Sequence, residues 1–218
     1  MSRTLISLIP ALLAMLLLLP ACNTQQALAR KAAEGDPVAQ YRCAVIIIHN
    51  TDATPQSRQQ AIEWLQQSTA AGNRNAPAIL GLCYTTGQGT DKDLQQAHRY
   101  LSIASDRDNI RAQLLLGHFY ANGLGTAPSP AKAAEQIRYA AMQGSPQAAD
   151  LMFLCFYDGF GVVRNKDLAL GWLENAAEFG SEDAENLLKL ANKPENAALF
   201  EKNVDLLRKK LDFFPQNR

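Results

Sequence analysis

From Ala76 the apolar positions run Ile79, Leu80, Leu82, Cys83 and Tyr84, dense enough for a well-buried helix. Gly87 and Gly89 end the run, and a glycine just past a helix accepts the left-handed conformation that closes its last turn. Asp91 or Asp93 offers a cap for a second helix. There Ala97, Tyr100, Leu101 and Ala104 fall at steps of three and four, on one face. Farther on, Pro128 and Pro130 mark a loop, and Pro130 suits a first helical turn, as do Pro37, Pro77 and Pro146. The pattern predicts pairs: helix, glycine loop, helix.

The pairs repeat. LGLCYTTGQG at 80–89, LGHFYANGLG at 116–125 and MFLCFYDGFG at 152–161 share their closing glycines at an offset of 36 residues. Ala76, Ala112, Ala148 and Ala184 keep the same step, as do Ala61, Ala97, Ala133 and Ala169, and Leu65, Leu101, Ile137 and Leu173. Trp64 and Trp172 share a register with Tyr100 between them. Gly72, Gly144 and Gly180 share another, with Asp108 as the exception. A lone helix pair cannot bury its apolar face, so the units must stack. The expected fold is all-α, an α/α solenoid of helix-turn-helix repeats with a 36-residue period, coiled as a right-handed superhelix.

These residues resemble Sel1-like repeats, relatives of the tetratricopeptide repeat. The resemblance rests on the Leu-Gly, Tyr and GxG block, on Lys132-Ala133, and on the alanine pairs Ala140-Ala141 and Ala176-Ala177. It covers roughly 32–192, in units of about 39–75, 76–111, 112–147 and 148–183. The first unit lacks the GxG loop, and Phe153 stands where Gly81 and Gly117 stand. That ring should pack differently or face a groove. A capping helix and tail are expected over 193–218. In the related repeats the first helices line a concave groove, which implies partner-binding candidates at the positions outside the signature. These are Ala78, Leu82, Thr86, Arg111, Leu114, His118, Asn122, Asp150, Leu154, Tyr157 and Asp158. The three leucines also suit plain core packing, whereas His118, Asp150 and Asp158 are harder to explain that way.

The N-terminus has another character. Arg3 precedes an apolar run from Leu5 to Leu19, shorter than the roughly 20 residues that span a bilayer. It reads as a secretory signal over 1–21. Leu19-Pro20-Ala21-Cys22 resembles a bacterial lipoprotein box, which implies lipidation of Cys22 and a linker over 22–31. Asn23 favours an outer-membrane protein facing the periplasm of a Gram-negative envelope.

Chemistry is sparse. With 21 basic and 21 acidic residues, no charge excess points to nucleic acid. A helix precedes each GxG, where a phosphate loop would want a strand. His49, His98 and His118 offer no zinc spacing, and neither HExxH nor GxSxG occurs. No catalysis, cofactor, metal or small-molecule substrate is expected. Cys83 and Cys155 sit two units apart, at about 10 Å per helix packing step. That is beyond the roughly 7 Å Cα separation a disulfide tolerates. Cys43 and Cys83 are left as the pair that neighbouring units could join, beside the default of buried free thiols. The resemblance implies an envelope scaffold that binds a protein partner, or alternatively a periplasmic immunity protein neutralising an exported toxin such as a phospholipase. The anchor has a direct check. Cys22→Ala should move the protein from the membrane fraction to the soluble fraction on carbonate extraction, and full retention in membranes would sink the lipoprotein reading.

Overall fold

The computed structural model describes residues 23–191 and 193–215, so the segment expected to be a signal, 1–21, and Cys22 lie outside the described residues. Among these there is no strand. The helices are α1 (Asn23–Ala33), α2 (Pro37–His49), α3 (Pro55–Ala70), α4 (Ala76–Thr86), α5 (Leu94–Ser105), α6 (Ile110–Asn122), α7 (Pro130–Met142), α8 (Pro146–Asp158), α9 (Lys166–Glu178), α10 (Glu182–Ala191) and, after a 3-10 turn, α11 (Ala197–Leu211). They form two compact units, divided after Ala104.

Most of the helices start on a residue whose side chain caps them. Asp36, Thr54, Asn109, Ser129, Ser145, Asn165 and Ser181 each accept a hydrogen bond from the backbone N–H three residues on. Asp93 does the same for Gln96 at 3.0 Å. Gly87, Gly123 and Gly159 adopt φ of 78°, 68° and 78°. They donate to the carbonyls of Cys83, Phe119 and Cys155, closing α4, α6 and α8 in the same way. Each loop then returns to the aromatic slot: Asp93, Ser129 and Asn165 donate to the carbonyls of Tyr84, Tyr120 and Phe156.

Gly89 and Gly161, the second glycines of two of the GxG motifs, have a separate task. A Cβ on Gly161 would lie 2.0 Å from the Pro130 carbonyl oxygen, and one on Gly89 would lie 3.0 Å from that of Arg58. The loop of one repeat therefore rests against the second helix of the repeat before it. The between-repeat slot at Gly72, Gly144 and Gly180 is left-handed throughout, and its one exception, Asp108, takes φ 57°. Aspartate tolerates that region better than most residues.

In the first unit α1 packs on α2, α2 on α3 and α3 on α4, around Ala39, Cys43, Ala44, Ala61, Leu65, Ala76 and Leu80. Tyr84 and Tyr100 stack with centroids 5.6 Å apart. In the second unit α6 to α10 pack in succession and α11 packs on α10. The alanines of the 36-residue registers are buried. One sequence expectation is corrected: of the linker expected over 22–31, residues 23–31 lie in the helix Asn23–Ala33, and Ala29 and Ala32 bury its inner face. The apolar signal there is one leucine, Leu28, among alanines, too little to stand out as a periodic stripe, although Ala, Gln, Arg and Lys all favour helix.

The two kinds of glycine predict different losses. Gly161→Ala should destabilise the second unit by about 3 kcal/mol or more, adding overpacking to the left-handed penalty. Gly144→Ala, with φ +82° and no atom within 4 Å, should cost about 1 kcal/mol. Urea titrations followed by circular dichroism rank the two.

Candidate functional site

In the unit from Ser105 onward, the first-helix face formed by α6 and α8 is covered by the chain's own C-terminal segment. α11 is amphipathic: Phe200, Val204 and Leu207 are buried and belong to the same apolar core as α8. Phe200 reaches Phe153 (6.5 Å, edge-on) and Tyr157 (6.1 Å). Phe153, the departure from the repeat's glycine, thus packs against the end segment. Past α11, Asp212 turns the chain at φ 40°. Phe213 then lies over Gly117, where a Cβ would come 3.1 Å from its ring. The ring sits edge-on to His118 at 5.5 Å. Its neighbour Phe214 meets Phe160 at 4.6 Å.

Polar contacts follow the same path. His118 Nδ1–H donates to the Phe213 carbonyl at 3.1 Å, and the Asn122 amide donates to it at 3.2 Å. Arg208 grips both oxygens of Asp158, at 2.9 and 3.1 Å. The Tyr157 hydroxyl donates to Glu201. Burial, and then that carboxylate, push the Tyr157 phenol up to about 12. Lys210 pairs with Asp183.

The eleven partner-binding candidates therefore separate. Leu82, Thr86 and Arg111 are exposed. Thr86 bonds back to the Leu82 carbonyl at 2.9 Å. Leu114 is half-buried against the core and Leu154 is fully buried, so both pack between helices and do not face a groove. His118, Asn122, Tyr157 and Asp158 hold the C-terminal segment. Asp150 is a further correction: it lies buried, and the Ser181 hydroxyl donates to its carboxylate at 2.8 Å. Ser181 in turn caps α10 through Ala184 N–H, so Asp150 orients a cap. The buried Ala78 is no groove residue either. What sequence reasoning missed is the occupant. Phe200, Glu201, Arg208, Phe213 and Phe214 were visible only as a capping helix and tail, although the i, i+4, i+7 spacing of Phe200, Val204 and Leu207 marked an inward face.

Among the described residues no group of His, Cys, Asp or Glu could hold a metal ion. No described helix is long and apolar enough to cross a membrane. Cys43 and Cys83 are unpaired thiols, raised to about 11 by burial; that keeps them protonated and unreactive near neutral pH.

The family model of the Sel1 repeat matches residues 37–73, 78–109, 110–145 and 146–181. No curated protein matches the chain. Among solved structures, the chain is similar to c5321, a protective antigen of uropathogenic Escherichia coli strains displaying an SLR fold. That match has a TM-score of 0.70 at 25% identity and covers 85% of this chain. The chain spans 41% of that protein's length. It also shares its fold with a Sel1 repeat protein from Oxalobacter formigenes, with a TM-score of 0.68 at 21% identity, covering 85% of this chain and 77% of that one.

Burial raises Asp150 to about 6, with Asp183 adding to the rise while Ser181 and Lys210 oppose it. Folding therefore takes up a proton between the ordinary carboxylate range and pH 6. The stabilisation is full below pH 4 and disappears as pH rises through 6. Asp150→Asn keeps an acceptor for Ser181 and should show no such slope. The wild-type minus variant difference in urea midpoint should fall from about pH 4 and level off just above pH 6; a flat difference would refute the assignment.

Proposed function

The chain belongs to the Sel1 repeat family, and from that premise we propose that it is a non-catalytic envelope lipoprotein that binds a protein partner through the first-helix face of its solenoid. Sel1 repeat solenoids commonly act as protein–protein interaction scaffolds. The observation that carries the reading here is that this face already holds a polypeptide. Residues 197–214 lie on it through ring, carbonyl and carboxylate contacts. A repeat surface of this kind offers an extended area without a deep chemical pocket. The exposed Leu82 and Thr86 add further free surface on α4.

The anchor follows from the sequence: a short apolar leader ending in Leu19-Pro20-Ala21-Cys22. Lipid at Cys22 would hold the protein on the periplasmic side of the outer membrane, since several acyl chains together give stable attachment.

Affinity capture of the full-length, membrane-extracted protein, read by mass spectrometry, tests this role. The scaffold reading expects several envelope proteins in stoichiometric amounts. Recovery of a single small toxic enzyme would replace it with the immunity reading, and recovery of no protein would refute both.

A further inference from the structure

We propose that Phe213 and Phe214 are a tethered occupant of a docking site for a partner's protein segment carrying two adjacent aromatic side chains, and that the partner enters by displacing this tail. The proposal rests on the scaffold reading above and names the chemistry its face selects.

The site reads three features. The first is a ring over Gly117. The repeat frame places glycine at both 81 and 117. At Gly81 the space is filled by Leu101 of the same helix pair, 2.7 Å from where a Cβ would stand. At Gly117 the nearest atom is Phe213 Cζ at 3.1 Å, ahead of the Ala133 carbonyl oxygen at 3.3 Å and Ile137 at 3.4 Å. A frame position thus serves as a seat for a ring from outside the repeat, edge-on to His118.

The second feature is a backbone carbonyl. His118 Nδ1 and Asn122 Nδ2 both converge on the Phe213 oxygen, at 3.1 and 3.2 Å. Every peptide carries such an oxygen, so this pair fixes register without demanding a particular side chain. The third is a second ring, held by Phe160 at 4.6 Å and by Phe213 itself at 5.5 Å. The rings therefore supply the selectivity.

The tail joins α11 through Asp212, the left-handed C-cap of that helix at φ 40°, in a region aspartate tolerates better than most residues. Lys210–Asp183 is open to solvent, so it adds little to the hold on the segment's end. While the tail is in place its high effective concentration masks the site, and a free ligand binds only the fraction of molecules in which the tail has lifted.

The test uses the full chain and an acetylated, fluorescein-labelled peptide of sequence LDFFP, that of residues 211–215. Fluorescence anisotropy is compared for wild type and two unmasked variants. Phe213→Ala/Phe214→Ala removes the rings. Asp212→Pro forbids the left-handed turn while leaving both rings in the chain. Both should bind at least 10-fold more tightly than wild type. Adding His118→Ala/Asn122→Ala to either should abolish the gain, and a peptide with both phenylalanines replaced by alanine should not bind. Equal affinity for wild type and a folded Asp212→Pro variant would overturn the proposal. So would a wild-type dimer in light scattering that the double-alanine variant dissolves, because the occupant would then be a second copy. Neither outcome touches the capture experiment, so the scaffold reading and this site fail separately.

Discussion

The solenoid depends on one close approach. Within each unit a GxG loop lies against the second helix of the repeat before it, at Gly89 and at Gly161, and at Gly161 the gap admits no side chain at all. This contact fixes the spacing between repeats, while the left-handed glycine two residues earlier fixes where the first helix stops. With both set, the buried alanines of each register fall between helices by default. Close-packed interiors leave no slack for such positions to drift. Residues outside those registers are the ones left available to carry specificity.

This is why the sequence disclosed the frame so well and the site so poorly. Gly87, Ala97, Leu101 and their counterparts repeat because the same steric problem recurs in each unit. Even Asp108, the odd residue in a glycine slot, takes the conformation the slot demands. The site has no such redundancy. His118 and Asn122 stood out by departing from the frame, yet the sequence could not say what they faced. Their partner lies about ninety residues away in the chain, at Phe213. Asp150 and Leu154 occupy similarly variable positions and turned inward. Periodicity does not distinguish an inward from an outward residue on a helix that is covered on more than one side. α8 is such a helix, with α7 and α9 on its flanks and Phe200 of α11 reaching Phe153.

Phe153 shows how one departure can organise a region. A glycine there would have left a hollow between α8 and whatever lay over it. The ring fills that space from below and meets Phe200 and Tyr157. The end segment thus has a rigid aromatic footing under α11, while its tail rests on a glycine seat over α6. Burial of a phenylalanine contributes about 1.5–3 kcal/mol, and each exposed ion pair roughly 0–1 kcal/mol. Phe200, Val204 and Leu207 therefore hold the helix, and the salt bridges set its direction.

The helix and the tail of this segment need not respond together. α11 is anchored by three buried apolar residues within the second unit's core. Beyond Asp212 the chain is held by Phe213, buried in the same core, by Phe214 packed against it, and by two hydrogen bonds to one carbonyl. Local opening free energies follow such differences in buried contact. The tail can lift at a cost well below that of unfolding the unit, while α11 stays docked. Lifting uncovers Gly117, His118, Asn122 and one face of Phe160, and leaves the stack of repeats intact. A surface of this kind is shaped by the fold for a protein segment and kept covered until a competing segment replaces the tail.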